Sequence, residues 1–220
     1  VWTYETWIKF NTAPSGSDYY YFFSQMEDSS NGWHLGYDNG TGTGGLWIWM
    51  KSGGSTVVDL YGNGDASYAI NNTDWHHVAF CKTGNDYTAY LDGTLVIDSS
   101  DTSTDTFTAS LLIGKDDTSS SGLFDGSMDS IRVSDSIRYA EAFTPSTSAF
   151  TNDSDTKLLI QSGTDGSQTF TDSSSSPHSI TANGDVRWFA PKIGAGALAF
   201  SPTSNSDACF IQSSSMGVDY

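Results

Sequence analysis

The stretch "TDWHHVAFCKTGNDYTAYLDGTLV" (residues 73–96) carries the clearest structural signal in the chain. Three runs that begin within it, 76–82, 86–91 and 94–98, are rich in the β-branched and aromatic residues that favour strands. Asp92-Gly93 separates the last two runs, and an Asp-Gly pair in this position is typical of a type I′ turn, in which both residues need a positive φ. The stretch therefore predicts a β-hairpin preceded by a third strand.

Similar runs recur along the rest of the chain, separated by residues that favour turns. They lie at 3–10, 19–25, 33–38, 46–51, 55–61, 110–114, 128–133, 157–162, 197–200 and 208–213. A second turn is predicted at 36–42, with Asn39-Gly40 at its tip. No amphipathic pattern of ten or more residues predicts a helix, and residues 135–143 have at most the pattern of one or two helical turns. We therefore predict an all-β, two-layer antiparallel sandwich of about a dozen strands.

Composition limits the partners that the chain can bind. The formal net charge of −17 repels phosphate backbones and anionic membranes, which argues against both as partners. No apolar run approaches the roughly 18 residues that a membrane span needs. The acidity has two explanations, solubility and calcium binding. The two cysteines, Cys81 and Cys209, both lie in apolar strand-like contexts and are either two buried thiols or one disulfide bridge.

A second segment, "LFDGSMDSIRVSDSIRYAEAFTP" (residues 123–145), combines with the first in one pattern. The pattern runs Trp-x-His-Val-Ala, Tyr-x-Asp-Gly, Phe-x-Gly-x-x-Asp, Arg-Tyr and Phe-Thr-Pro. The residues that match it are Trp75, His77, Val78, Ala79, Tyr90, Asp92, Gly93, Phe124, Gly126, Asp129, Arg138, Tyr139, Phe143, Thr144 and Pro145. With the opening "YETWIKF" (4–10), positions 1–145 resemble the laminin-G-like jelly roll of the concanavalin A-like lectin/glucanase superfamily, in the style of phage-tail and bacterial surface proteins. The resemblance implies a jelly-roll topology and an extracellular, cell-surface or virion location.

The two ends of the chain are related by the same resemblance. Residues 1–220 are expected to form a single sandwich, with 146–192 as long surface loops. Residues 193–220 resemble the strand that normally precedes the position of residue 1. That strand can return within the chain, complete a neighbouring subunit, or belong to a longer tandem polypeptide, because an unfilled place would leave a sheet edge exposed.

The run "GGLWIWMKSGG" (44–54) is unusual in a polar, acidic chain. Side chains alternate between the two faces of a strand, so Trp47 and Trp49 share one face and the aliphatic residues share the other. The aliphatic face suits the core between two sheets, which leaves the indoles on an outer face that is ordinarily polar. Residues 19–23, "YYYFF", are also apolar on both faces.

These rings have two interpretations. In lectin-like jelly rolls, the resemblance implies that sugars bind on the concave face or its rim, and aromatic rings suit the C–H faces of pyranoses. A glycan-binding surface is therefore predicted at Trp47, Trp49, Trp33 and Tyr20. The alternative is that residues 146–200, or a neighbouring subunit, cover the same rings.

Catalysis is not expected. Retaining glycosidases need two carboxyl groups about 5–5.5 Å apart, and Glu5 stands alone on the strand where the resemblance would place them. His76 and His77 are adjacent, so on a strand they face opposite sides and do not share a metal. No nucleophile elbow is present. The sequence predicts a protein that is not an enzyme.

A calcium ion is the cofactor that the resemblance suggests, because many relatives tie their first strand to their last with one. Asp129 and Asp207 are the predicted ligands, provided that residues 205–213 fill the place of the first strand. The alternative is that these carboxylates cap turns.

The leading functional hypothesis is a non-catalytic carbohydrate-binding or adhesion module whose partner is a glycan or surface polysaccharide. The rival is a structural subunit of a virion, tail or extracellular filament that self-associates head to tail by exchanging terminal strands.

Overall fold

The architecture is a two-layer β-sandwich. A computed structural model describes residues 1–40, 44–62, 66–119, 121–194, 196–201 and 209–212, and these residues form fifteen strands and one 3-10 helix, Ala66–Tyr68. The strands are β1 (Trp2–Phe10), β2 (Tyr19–Asp28), β3 (Asn31–Asp38), β4 (Gly45–Ser52), β5 (Ser55–Tyr61), β6 (His76–Thr83), β7 (Asp86–Leu91), β8 (Thr94–Ser100), β9 (Leu111–Ile113), β10 (Gly126–Ser134), β11 (Thr156–Ile160), β12 (Ser179–Ala182), β13 (Arg187–Phe189), β14 (Ala197–Phe200) and β15 (Cys209–Gln212). The all-β, two-layer prediction is confirmed.

Both layers are antiparallel sheets. The eight-stranded sheet has the order β13-β14-β10-β1-β6-β7-β8, and β11 also pairs with β10. The seven-stranded sheet has the order β12-β15-β9-β2-β3-β4-β5. No helix in the described ranges has the length and apolarity to cross a membrane.

The hairpin predicted at residues 86–98 is present. Asp92 and Gly93 join β7 to β8 with φ values of 51° and 79°, the positive values that a type I′ turn requires. Gly53 and Gly54 join β4 to β5 in the same way, with φ values of 55° and 84°. The glycines that follow the tryptophan-rich run therefore close the hairpin that carries it.

The core lies between the two sheets and is rich in aromatic rings. The Tyr4 ring of β1 lies 5.3 Å from Phe23 and 5.2 Å from Trp33, both of the opposite sheet. All three side chains are at most 2% exposed. Because burial of each large apolar side chain stabilises the fold by about 1.5–3 kcal/mol, these inter-sheet contacts hold the layers together.

The segment after β10 covers the part of the outer face of the eight-stranded sheet that β1, β6 and β7 form. Tyr139 and Phe143 stack with ring centroids 3.6 Å apart, and the backbone N–H of Phe143 donates to the carbonyl of Gly93. Beneath them, Oε1 of Glu5 accepts hydrogen bonds from Nε (2.7 Å) and Nη2 (2.6 Å) of Arg132. The Arg-Tyr and Phe-Thr-Pro part of the sequence pattern therefore closes this part of the face.

The C-terminal third contains more strands than the sequence predicted. Residues 146–192, expected to be long surface loops around the strand-like run 157–162, include β12 and β13 as well as β11. Strands β12 and β13 are only four and three residues long, which is too short for a periodic pattern among Ser, Thr and Asp. Within 193–220, β14 pairs with β10 and β13, and β15 pairs with β9 and β12, all in the same chain.

Candidate functional site

Strand β4 places its tryptophans on the outer face of the seven-stranded sheet, as the alternation of side chains predicts. Leu46, Ile48 and Met50 point into the core and are 1–2% exposed. Trp47 and Trp49 point the other way and are partly exposed. The two indoles are thus accessible from outside the sandwich.

Trp33 and Tyr20 do not join them, so this part of the predicted surface is wrong. Trp33 is 2% exposed in the core, and its Nε1–H donates to Oε1 of Gln25 at 3.1 Å. Tyr20 also faces the core side, with its ring 4.9 Å from that of Phe10. The pairing of β2 and β3 with their neighbours decides the face that each ring occupies, and the sequence does not specify this register.

A bulge in β2 changes the expected alternation of residues 19–23. The register shifts between Tyr21 and Phe23. As a result Phe22 and Phe23 both point into the core, each with 0% exposure. A bulge lets two consecutive residues face the same side, which accounts for the two phenylalanines. Tyr21, before the bulge, stays on the outer face.

Five rings meet on the outer face of the seven-stranded sheet, and we call them the outer aromatic cluster: Tyr21, His34, Trp47, Trp49 and Tyr61. His34 and Trp49 are stacked, 4.6 Å apart and 7° from parallel. Trp47 and Tyr61 are stacked at 5.6 Å and 8°. Tyr21 lies 6.4 Å from Trp47 on the far side of β3. The cluster thus extends from β2 to β5 across four neighbouring strands.

Local contacts hold these rings in place. Gly36 lies in register between Tyr21 and Trp47, and it has no side chain to separate their rings. The indole N–H of Trp47 donates to Oδ1 of Asp59 at 2.9 Å. Asp59 is itself exposed and lies in register beside Trp49. A carboxylate therefore borders the exposed side of the cluster.

His34 lies at the base of the outer aromatic cluster. It is 3% exposed, and burial lowers its pKa although the nearby Asp116 opposes this, so the ring is neutral at pH 7. Its Nδ1 is 3.5 Å from Oδ2 of Asp116, but neither ring nitrogen makes a hydrogen bond within the part of the chain that the structure describes.

The loop after β9 forms a wall beside the cluster. Burial raises the pKa of Asp116, but His34 and the bonds from Thr118 outweigh burial and hold the pKa below its usual range. The N–H and hydroxyl of Thr118 donate to Oδ1 of Asp116 at 2.7 and 2.8 Å. Further along, the N–H of Tyr21 donates to the carbonyl of Gly122. The loop is therefore bonded to β2 at Gly122.

Sequence reasoning missed His34, Tyr21, Tyr61 and Asp59. The signal that could have found the last two is the alternation in "STVVDLY" (55–61), where apolar core positions alternate with Asp59 and Tyr61. In "WHLGYD" (33–38) the same alternation places His34 on the outer face, once the neighbouring Trp33 is assigned to the core.

Asp129 does not have the surroundings of a calcium ligand. Its Oδ2 accepts the backbone N–H groups of Lys192 and Ile193, both at 2.7 Å, and its Oδ1 accepts the Ser130 hydroxyl. Burial raises its pKa against the effect of these donors. The carboxylate therefore bonds the backbone at 192–193 to β10. This is the turn-capping role that the sequence offered as the alternative to calcium binding. Asp207 lies outside the described residues.

Within the described residues no group of three or more His, Cys, Asp or Glu side chains is placed to hold a metal ion. Glu5 is also committed to structure: its side chain is fully buried, and Oε2 accepts the hydroxyl of Tyr139 at 2.6 Å and lies 3.3 Å from Nε2 of His77. Cys81 is a buried free thiol in β6.

Comparison with known proteins agrees with this fold. Residues 1–144 match a family model described as the concanavalin A-like lectin/glucanases superfamily, and the chain belongs to that superfamily. A search of curated proteins finds no match.

Nine solved chains match. One is Domain 4 of AbnA, a GH43 extracellular arabinanase from Geobacillus stearothermophilus, in complex with arabinotriose: 18% identity, TM-score 0.44, covering 60% of this chain and 59% of that one. Another is a "putative carbohydrate binding protein" from Bacteroides ovatus ATCC 8483: 17% identity, TM-score 0.51, covering 78% of this chain and 49% of that one. The chain thus spans about half to three fifths of these structures. At 17% identity the likeness to the second structure concerns the fold alone.

Proposed function

We propose that the chain is a non-catalytic carbohydrate-binding module and that the outer aromatic cluster is its sugar-binding surface. The observation that carries the proposal is the grouping of partly exposed Trp47, Trp49 and Tyr61 over buried Tyr21 and His34. An outer sheet face is ordinarily polar, so aromatic rings concentrated there favour a ligand with an apolar face.

The cluster has both kinds of group that sugar recognition uses. The C–H face of a sugar ring packs on an aromatic ring, and hydroxyl groups need hydrogen-bond partners at the edge. Asp59 supplies an exposed acceptor next to Trp49.

The rings are held before any ligand arrives. Trp47 is stacked against Tyr61 and hydrogen-bonded to Asp59, and Trp49 is stacked against His34. A surface whose side chains are already fixed loses little conformational entropy on binding, which favours affinity.

The alternative that residues 146–200 cover these rings is not supported by the placement of that segment. Its strands β11, β13 and β14 belong to the eight-stranded sheet, and β12 lies at the opposite edge of the seven-stranded sheet from β4 and β5.

A glycan array followed by titration calorimetry tests the proposal. Trp49→Ala is expected to weaken the strongest array ligand at least tenfold, which corresponds to about 1.4 kcal/mol. Trp49→Phe should keep part of the affinity, because it keeps a ring. Val1→Ala, at an exposed apolar residue elsewhere, serves as the control.

Urea unfolding of each variant confirms that it is folded. If Trp49→Ala and Tyr61→Ala both bind the ligand as the parent does, the outer aromatic cluster is not the sugar-binding surface. Release of shorter sugars from the bound ligand would contradict the non-catalytic assignment.

A further inference from the structure

A cleft of about 340 Å³ opens on the opposite side of the sandwich, on the outer face of the eight-stranded sheet. It is lined by Asn11, Ser127, Asp185, Arg187, Phe189 and Ala199, with Ser201 at one end. Its volume is at the lower end of the range for small-ligand sites, about 300–1,000 Å³, and suits one or two sugar rings.

The strand register explains how the cleft forms. Ser127, Ala199 and Arg187 occupy one row across β10, β14 and β13. Phe189 lies two residues after Arg187 and therefore on the same face, where it pairs with Ala197. Small side chains make the floor, and a long cation and an aromatic ring stand beside them.

Phe189 faces outward. It is 57% exposed, and within the described residues Val1, at 55%, is the other large apolar residue that is mostly exposed. The preceding Trp188 is fully buried in the core, so the alternation of β13 keeps Phe189 outside. The backbone of β13 is held by a bond from the N–H of Trp188 to the carbonyl of Ser167. An outward-facing aromatic ring beside a cleft is a feature of ligand sites.

The charges of the cleft favour a neutral ligand. Nη2 of Arg187 lies 2.9 Å from Oδ1 of Asp185. The Nε–H of Arg187 donates to the backbone carbonyl of Asp185 at 3.2 Å. These opposite charges cancel within the lining, and the chain as a whole carries −17. A phosphate or sulfate would meet no uncompensated cation there, whereas hydroxyl groups can use the guanidinium, the carboxylate, the Asn11 amide and the Ser127 hydroxyl.

We propose that this cleft is a second binding site, for a neutral sugar residue that stacks on Phe189. The proposal rests on the proposed function in one respect, that the chain binds carbohydrate, but it uses a separate set of residues. Because the two sites lie on opposite outer faces, one molecule can engage two glycan strands, and a polymer that presents many copies is held more tightly than one isolated unit.

Native mass spectrometry and calorimetry test this proposal, with the neutral oligosaccharide that gives the strongest array signal as the probe. The parent is expected to bind two molecules, Phe189→Ala one, Trp49→Ala one, and the double variant none. Phe189→Tyr should retain both sites, and Val1→Ala is the matched control for loss of an exposed apolar side chain. A uronate-bearing counterpart of the probe should bind the cleft at least tenfold more weakly.

The two failures are distinguishable. If the parent binds one molecule, and Trp49→Ala abolishes that binding whereas Phe189→Ala does not, the second site is overturned and the proposed function stands. If Phe189→Ala abolishes binding whereas Trp49→Ala does not, the cleft stands as a binding site and the outer aromatic cluster is overturned as one. Stronger binding of the uronate-bearing probe through Phe189 overturns the choice of a neutral ligand.

Discussion

The buried ion pair between Glu5 and Arg132 allows a quantitative test of what stabilises the outer side of the eight-stranded sheet. Glu5→Gln removes one charge and leaves the other in place. The Glu5 side chain is 0% and the Arg132 side chain 10% exposed. Loss of one partner of such a pair costs about 3–5 kcal/mol, because the remaining charge is buried without compensation.

Urea unfolding followed by tryptophan fluorescence measures the loss. For a chain of this size the dependence of the unfolding free energy on urea is expected near the upper part of the usual range, about 3 kcal/mol per molar. The midpoint should therefore fall by about 1–1.7 M. Asp185→Asn breaks an Arg–Asp pair that is largely exposed and should cost at most about 1 kcal/mol.

A double variant separates the buried charge from lost packing. Glu5→Gln with Arg132→Met removes both charges and keeps a long side chain against Phe150, whose ring is 4.2 Å from the guanidinium carbon. It should be more stable than Glu5→Gln alone. The reasoning is refuted if the single variant loses less than about 1 kcal/mol, or if the two substitutions destabilise additively.

Three further outcomes follow from the same structure. Burial raises the pKa of Glu5, but its hydrogen bonds and the nearby Arg132 outweigh burial and lower it. The stability advantage of Glu5 over Gln is therefore full above the ordinary value of 4.5 and should decrease as the pH falls from 4.5 towards the lower folded pKa, measured as urea midpoints of both proteins across a pH series. Gly93→Ala should lower the melting temperature far more than Gly53→Ala, because an added Cβ at 93 would lie 1.8 Å from a backbone oxygen whereas at 53 nothing lies within 4 Å; equal shifts would contradict this. Burial raises the pKa of the Cys81 thiol to about 11, so in a Cys209→Ser variant a thiol reagent should label Cys81 only after unfolding, and rapid labelling of the native protein would show that the site opens.

The sequence was sufficient for features that depend on local pattern. The Asp92-Gly93 turn needs two positive φ values, which few residue pairs tolerate, so its composition determined its geometry. The faces of β4 followed in the same way, because alternation is a property of the strand itself.

Features that depend on pairing between strands were not accessible. The face of Trp33 is set by the register of β3 against β2 and β4, and the bulge at Phe22 reverses the expected face of Phe23. The outer aromatic cluster joins four strands, so Tyr21 and Tyr61 become neighbours of Trp47 only once the register is known.

The position of β15 has a consequence for synthesis. In the seven-stranded sheet it lies between β9 and β12, and within the described residues β12 has no other strand partner. While the chain is still emerging from the ribosome, the free side of β9 is therefore an open template that a second nascent copy could join. A chain that lacks residues 209–212 is therefore expected to associate through the free side of β9, which would be measured as a larger aggregated fraction than for the parent chain.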